Sequence, residues 1–298
     1  MLGAIKCVTI STKDADRSES LYRDYLGYRT VSRRTVGDAA ARSWGAPRAA
    51  GEREIVMQPE SGEATFVRLV DGGATADYTP LLTCGWNSFE LIVQDVKALN
   101  DRLARSPFRI IGAPAPLAIE GLDMIVAMQA IGPDDEVLYL TEIGAPVPGF
   151  ELPAAMSFVG RPFISVLGGL SLPAMTGFFK DALGASEGPP MDAVVSIINK
   201  AYGLADNHRI ALASILLPRA CVIEIDELPS TAVARPRRKG QLPPGNAMTS
   251  FEHADLDAVE AALVTPPETQ DHAPYFGART ATVVGAAGEL IELIETKP

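Results

Sequence analysis

The sequence predicts an α+β fold built from four modules, each with the element order β-α-β-β-β. Two sequence motifs that each occur twice predict it. Residues 178–184 (FFKDALG) repeat the pattern of residues 21–27 (LYRDYLG), and each copy of this motif follows a run typical of a β-strand. Residues 89–99 and 251–259 are the two copies of a second motif, in which a strand leads into an amphipathic pattern. Along the chain, the first motif is followed by the second, and then both occur again in the same order. We therefore infer an internal duplication of a two-module unit.

The first motif shows why a strand and a helix are expected. In the run from Ile5 to Thr12, successive side chains point to opposite faces, so Val8 and Ile10 share one face. Asp14 is suited to cap the helix that follows, and Gly27 supplies the left-handed residue that ends it. One strand and one amphipathic helix therefore occupy this first stretch.

The same reasoning places elements along the rest of the chain. The helix of the second module is expected to end at Leu103 and that of the fourth module at Leu263. Residues 146–153 contain three prolines, which stiffen the connection between the halves. We place the domain boundary there, which gives domains 1–148 and 149–298, each made of two paired modules.

Composition argues against several classes of function. The formal charge of −11 argues against nucleic acid or an anionic membrane surface as a partner, and the basic run 235–239 is interpreted as a solvated loop. No apolar run reaches membrane-spanning length, and three widely spaced cysteines indicate a reducing, cytoplasmic setting. No phosphate-binding loop or dinucleotide fingerprint is present, so no nucleotide cofactor is expected.

At this point the pattern resembles the vicinal oxygen chelate superfamily, which contains glyoxalase I, bleomycin-resistance proteins and extradiol dioxygenases. The resemblance is carried by Asp14 with residues 21–27, by their echo at 178–184, and by the closing residues 288–292 (GELIE). It implies that the paired modules of each domain curve into an open cup whose concave face holds a small-molecule ligand. It leaves a homodimer open, because four modules in one chain already complete two cups.

The resemblance also implies where metal ligands are expected, since metal-dependent members use His or Gln on the first strand of a module and Glu on its last strand. The first-strand positions fall on Cys7, Ser88, Ile164 (or Phe163 with a one-residue slip) and Met248. The last-strand positions fall on Phe66, Tyr139, Glu224 and Glu292. Only the second half therefore keeps carboxylates at these positions.

A metal site is accordingly predicted in the second cup. Strand alternation places Glu252 on the same face as Met248, so Glu224, Glu252 and Glu292 are expected to converge. Three oxygen donors without an imidazole favour a hard cation such as Mg²⁺, Mn²⁺ or Ca²⁺ over zinc. The resemblance leaves one divalent metal open among Fe, Mn, Mg and Zn. The alternative is that Glu252 and at least one other Glu are solvated or paired with Arg.

Histidine and tyrosine supply the catalytic candidates, because a general acid or base near neutral pH is most often a histidine. His208 and His272, with the nearby Tyr275, are placed for the rim of a cup. Surface or turn roles are the alternative for both histidines. His253 falls on the helix-packing side of its strand and is expected to pack.

The substrate-binding candidates are the residues that strand alternation and the resemblance place on the cup faces. They are Cys7, Phe66, Ser88, Glu90 and Tyr139 in the first cup, and Met248 in the second. An apolar lining with few polar groups is typical of small-molecule sites. The alternative is that Phe66 and Tyr139 fill a closed core and that Cys7 is a structural thiol.

Two functions follow from these observations. The first is an enzyme of the glyoxalase or extradiol dioxygenase kind, acting on a small oxygenated, aromatic or apolar compound with the help of a metal. The second is a metal-free protein that binds or sequesters a small molecule, as bleomycin-resistance proteins do. The retained Glu224 and Glu292 favour the first function, and the missing imidazole ligands favour the second.

Overall fold

The computed structural model describes residues 1–73, 75–117, 121–146, 151–189 and 191–296. The first module contains β1 (Leu2–Thr12), α1 (Ala15–Leu26), β2 (Arg29–Thr35), α2 (Asp38–Ser43), β3 (Arg53–Gln58) and β4 (Phe66–Asp71). The second contains β5 (Gly85–Val93), α3 (Val96–Leu103), β6 (Arg109–Pro116), β7 (Ile125–Ile131) and β8 (Val137–Ile143). The predicted α+β class is confirmed.

The third module contains β9 (Val159–Gly169), α4 (Leu172–Gly177), β10 (Ser186–Glu187), β11 (Met191–Ala193), α5 (Ser196–Tyr202), β12 (Ile210–Leu217) and β13 (Cys221–Glu227). The fourth contains β14 (Gly245–His253), β15 (Glu268–Gln270), β16 (Ala278–Val284) and β17 (Leu290–Glu295). A π-helical turn, Phe178–Ala182, continues α4. No helix among the described residues has both the length and the apolar character needed to cross a membrane.

The fourth module departs from the predicted element order because its helix is missing. Only a 3-10 turn, Leu256–Ala258, forms where a helix through Leu263 was expected. Leu263 instead forms a single bridge with Val283 of β16, and the Val264 N–H donates to the Thr282 carbonyl at 2.8 Å. These contacts to β16 satisfy backbone groups that a helix would otherwise have paired internally.

Two curled sheets organise the four modules, and their strand order corrects the predicted pairing. One sheet has the order β15-β16-β17-β14-β1-β4-β3-β2, and the other has β10-β12-β13-β9-β5-β8-β7-β6. The first module therefore pairs with the fourth and the second with the third, through antiparallel contacts of β1 with β14 and of β5 with β9. The domain boundary predicted at 148/149 lies outside the described residues.

The helix caps predicted at the start of the chain are confirmed. Asp14 accepts a hydrogen bond from the Arg17 N–H at 3.0 Å, which satisfies one of the free donors at the start of α1. Gly27 ends α1 with φ of 74°, a conformation that glycine adopts without the strain of a side chain.

The main core lies between the two sheets, on the faces that carry the apolar residues of β1 and β5. Val8 and Phe89 belong to this core. The Trp86 ring lies 5.9 Å from the Phe251 ring, and its Nε1–H donates to the Leu290 carbonyl at 2.7 Å. The alternation predicted for β1 and β5 is confirmed, and it leaves their other side chains facing the two cups.

Candidate functional site

The register of the sheets defines corresponding positions in the two cups. Thr9 of β1 pairs with Arg68 on one side and with β14 on the other. Glu90 of β5 pairs with Tyr139 on one side and with β9 on the other. Arg68 therefore corresponds to Tyr139. The resemblance had placed Phe66 there, two residues too early.

Glu292 and Glu224 correspond to each other by the same register. Glu292 pairs with Ser250, and Ser250 pairs with Cys7 on the next strand. In the same way, Glu224 pairs with Val166, and Val166 pairs with Ser88 on the next strand. We call the concave face around Thr9, Arg68, Ser250 and Glu292 the filled cup. We call the concave face around Glu90, Tyr139, Ile164 and Glu224 the open cup.

A buried network centred on Glu292 occupies the filled cup. Arg68 Nη2 lies 2.9 Å from Glu292 Oε2, and Ser250 Oγ donates to the same oxygen at 2.5 Å. Trp44 Nε1 and Tyr275 Oη each donate to Glu292 Oε1 at 2.7 Å. Burial opposes ionisation, but the Arg68 guanidinium and these three donors hold the pKa of Glu292 below its usual value. Both carboxylate oxygens are thus fully engaged.

The rim of the filled cup carries a second buried carboxyl group. Glu54 lies 3.4 Å from Arg34, and His272 Nε2 lies 3.9 Å from Glu54 Oε1. Burial raises the pKa of Glu54. Burial and the charges of Arg34 and Arg68 lower the pKa of His272 to about 4, so this imidazole is neutral at physiological pH. The His272 ring packs edge-on against Tyr275, with 5.1 Å between ring centroids.

The open cup contains a cavity of about 450 Å³, a volume within the usual range for small-molecule sites. Its apolar lining includes Pro114, Ile125, Phe163, Ile164, Ile197 and Leu212. Its polar lining includes Glu90, Gln129, Tyr139, Thr141 and Glu224. The cavity therefore combines an apolar wall with a few polar groups on the strands of the sheet.

Three carboxyl groups lie at this cavity or next to it: Glu90 and Asp226 are buried, and Glu224 is partly exposed. Burial and the nearby Glu224 carboxylate raise the pKa of Glu90 to about 8, although Thr141 Oγ1 donates to Glu90 Oε2 at 2.8 Å. Burial raises the pKa of Glu224 to about 7. Burial, Glu224 and Glu90 raise the pKa of Asp226 well above its usual value. All three groups therefore keep a proton to higher pH than carboxyl groups normally do.

The sequence-predicted residues divide between the two cups differently than expected. Cys7, Phe66 and Met248 lie in the sheet of the filled cup, whereas Ser88 and Tyr139 lie in the sheet of the open cup. The expected first cup is therefore corrected, because β1 and β4 join the fourth module instead of the second. Its five residues divide into Cys7 and Phe66 in one sheet and Ser88, Glu90 and Tyr139 in the other.

The expected metal cluster is corrected for the same reason. Glu224 lies in one sheet, while Glu252 and Glu292 lie in the other. Glu252 forms an ion pair with Arg219 at 2.6 Å, which is the arrangement that the alternative interpretation described. No group of three His, Cys, Asp or Glu side chains placed to hold a metal ion was found within the described ranges.

The catalytic candidates also separate. His272 and Tyr275 are in contact at the filled cup, and Tyr275 is buried in its network. His208 is exposed, two residues before β12 begins. Their predicted catalytic roles stay predictions.

Sequence reasoning missed two residues of the filled cup, Trp44 and Arg68. Trp44 follows α2, in a stretch that the strand and helix patterns did not resolve. Arg68 stands inside the apolar strand β4, and a buried arginine requires an anionic partner. That requirement was readable from the sequence and would have pointed to a buried carboxylate such as Glu292.

Comparison with solved structures identifies the fold. Glyoxalase I from Zea mays superposes with a TM-score of 0.65 at 16% identity, over 98% of this chain and 92% of that chain. The chain has the vicinal oxygen chelate fold. A Bacillus subtilis protein assigned as a candidate dioxygenase has the same fold, with a TM-score of 0.63 at 12% identity over 100% of this chain and 86% of that chain. No family model and no curated protein sequence match the chain.

The vicinal oxygen chelate fold often carries a divalent metal, so the donors at the corresponding positions matter. In the filled cup, Glu292 has donors on both oxygens and the Arg68 guanidinium at 2.9 Å, which repels a metal cation. In the open cup, the metal-ligand positions implied by the resemblance hold Ser88, Tyr139, Ile164 and Glu224. Glu224 is the one carboxylate among these four residues. The residues present therefore do not fit the metal site implied by the fold.

Proposed function

We propose that the open cup binds a small, largely apolar organic molecule, without a metal ion held by the protein. The observation that carries this proposal is the cavity of about 450 Å³ with its apolar wall. The filled cup provides the contrast, because buried Trp44 and Tyr275 lie over its carboxylate. This function is the second of the two that the sequence suggested.

One observation favours a second candidate, an enzyme of the glyoxalase or dioxygenase kind. Glu90 and Glu224 line the same cavity, and their pKa values of about 8 and about 7 lie near neutral pH. Carboxyl groups tuned in this way are suited to accept and return a proton. Binding is the more economical proposal, because turnover needs a reacting substrate in addition to the cavity.

Binding of a neutral apolar dye tests the proposal. N-phenyl-1-naphthylamine is expected to bind the protein at one site per chain, with a rise in fluorescence. Ala127 and Ala115 pair with each other across β6 and β7, and both line the cavity. Ala127→Trp and Ala115→Trp fill part of its volume and should each weaken dye binding about tenfold or more.

Ala262→Trp is the matched control, because Ala262 is exposed and does not line the cavity. It should bind the dye as the unmodified chain does. Ala115 is itself exposed, so the Ala115→Trp chain is expected to fold even if Ala127→Trp does not. Failure of the unmodified chain to bind the dye, or equal binding by all folded variants, would show that the open cup is not the binding site.

A further inference from the structure

Among the described residues, no cationic side chain pairs with the carboxyl groups of the open cup, whereas their counterpart in the filled cup has one. Glu292 has Arg68 at 2.9 Å, and Tyr139 occupies the position corresponding to Arg68 in the open cup. The open cup also has Glu90 where the filled cup has Thr9. Compared with the filled cup, the open cup therefore has a tyrosine in place of the buried arginine and one additional acidic residue.

No lysine, arginine or histidine nitrogen in the described part of the chain lies within 4.0 Å of the Glu90, Glu224 or Asp226 carboxylates. Asp226 is fully buried, and neither of its oxygens has a hydrogen-bond partner among the described residues. Lys200 of α5 lines the cavity, but this residue is exposed. Burial without a partner strongly disfavours the charged form of a carboxyl group, so a cation brought by a ligand would relieve that penalty.

We propose that the ligand of the open cup is an organic cation, an ammonium or amidinium group on an apolar body, whose charge is neutralised by Glu90 and Glu224. This inference rests on the proposed function and names its ligand class. The cavity is too large and too apolar to be explained by a bare metal ion, and its wall suits a hydrocarbon or aromatic body. The ligand supplies the charge that Arg68 supplies in the other cup.

Proton release follows from this arrangement. Among the described residues, the titratable groups that line the cavity are Glu90, Tyr139, Glu224 and Lys200, and the Asp226 carboxyl is close enough to feel the charges of both glutamates. A bound cation favours the ionised form of the acids, so they lose protons as the ligand binds. Affinity for the cation should therefore rise as the pH increases from about 6 to about 8.

Three aromatic probes of similar size separate charge from apolar contact: 1-naphthylmethylamine, the neutral 1-naphthylmethanol and the anionic 1-naphthoate. By titration calorimetry near pH 8, we expect the amine to bind about tenfold or more tightly than the alcohol, and the naphthoate to bind most weakly. The preference for the amine should shrink near pH 6. Titration in buffers of different ionisation enthalpy should show protons released with the amine but not with the alcohol.

Glu224→Gln and Glu90→Gln should each reduce the preference for the amine while retaining binding of the alcohol. Glu260→Gln is the matched control, because Glu260 is exposed and does not line the cavity. It removes one carboxylate from the chain and should leave the preference unchanged.

Alcohol binding as tight as amine binding, or an amine preference that survives in both glutamate variants, would overturn the cation proposal while leaving the proposed function standing. The same holds if the neutral dye binds but none of the three probes does. One-to-one binding of Mg²⁺ or Mn²⁺ alone, lost in Glu224→Gln, would identify a metal site instead. Absence of binding by the dye as well would mean that the proposed function itself is wrong.

Discussion

Glu292 and Glu224 occupy corresponding positions in the two sheets, but within the described part of the chain only Glu292 has a buried arginine beside it. In the filled cup, Arg68 and three hydrogen-bond donors keep Glu292 ionised, with its pKa below the usual value. In the open cup, Tyr139 takes the place of Arg68, and burial raises the pKa of Glu224 to about 7. The same strand register thus supports pKa shifts of opposite sign in one residue type.

The difference shows what fills a cup. In the filled cup, the chain supplies both the cation and the aromatic groups, since Trp44 and Tyr275 reach Glu292 from outside its strand. In the open cup, the wall of β6, β7 and α5 encloses space around the acids. A curled sheet can therefore become a structural cluster or a binding cavity, and the side chains laid over its concave face decide which.

Removing the arginine of the filled cup should have the largest effect. Arg68→Met leaves Glu292 buried with no opposite charge, and breaking a buried pair in this way costs about 3–5 kcal/mol of unfolding free energy. Urea unfolding followed by circular dichroism measures this loss. Binding of the neutral dye to the open cup should be unchanged while the protein is folded.

The double variant Arg68→Met with Glu292→Leu serves as its control. It removes both charges together, so it should recover much of the stability lost by Arg68→Met alone. If Arg68→Met unfolds at the same urea concentration as the unmodified chain, the ion pair does not hold the filled cup together.

The two cups should also respond to pH with opposite signs. In the folded chain, Glu224 stays protonated over a wider pH range, because its pKa rises from 4.5 to about 7. Its contribution to stability is fully present below pH 4.5 and is lost as the pH rises through about 7. Glu224→Gln should therefore raise the free energy of unfolding by about 1–3 kcal/mol near pH 8, and by much less near pH 4.

Glu292 behaves in the opposite way because its folded pKa is lowered from 4.5. Its contribution is present above pH 4.5 and is lost as the pH falls through the lowered value. Glu292→Gln should therefore destabilise the chain most at neutral pH and progressively less in acid. Parallel stability curves for the two variants between pH 4 and pH 8 would contradict the opposite pKa shifts of Glu224 and Glu292.

The sequence was informative where local rules act. Asp14 and Gly27 predicted the ends of α1, because a cap depends on a few neighbouring residues. The repeats predicted four modules, and alternation predicted which side chains of β1 and β5 enter the core. Pairing between modules was predicted wrongly, since repeats along a chain do not state which sheet edges join in space.

The sites were harder to predict for the same reason. Glu224 and Glu292 were recognised as acids on last strands, but their environments depend on residues distant in sequence. Trp44 reaches Glu292 across most of the chain, and Arg68 stands at a position where the resemblance offered no ligand. Charge balance inside a cup is a tertiary property, so a motif on one strand cannot reveal it.

A matched pair of hydroxyl deletions should give the smallest effects and the finest comparison. Ser250 donates to the ionised Glu292 at 2.5 Å, and Thr141 donates to Glu90 at 2.8 Å. Hydrogen bonds to charged groups are worth about 1.5–3 kcal/mol, against about 0.5–1.5 kcal/mol for neutral pairs. Near pH 6, Ser250→Ala should therefore cost more unfolding free energy than Thr141→Val, because Glu292 is charged there and Glu90, with a pKa of about 8, is neutral. Equal losses in urea unfolding would mean that the two carboxyls carry the same charge, and the contrast between the filled and open cups would then lie in shape alone.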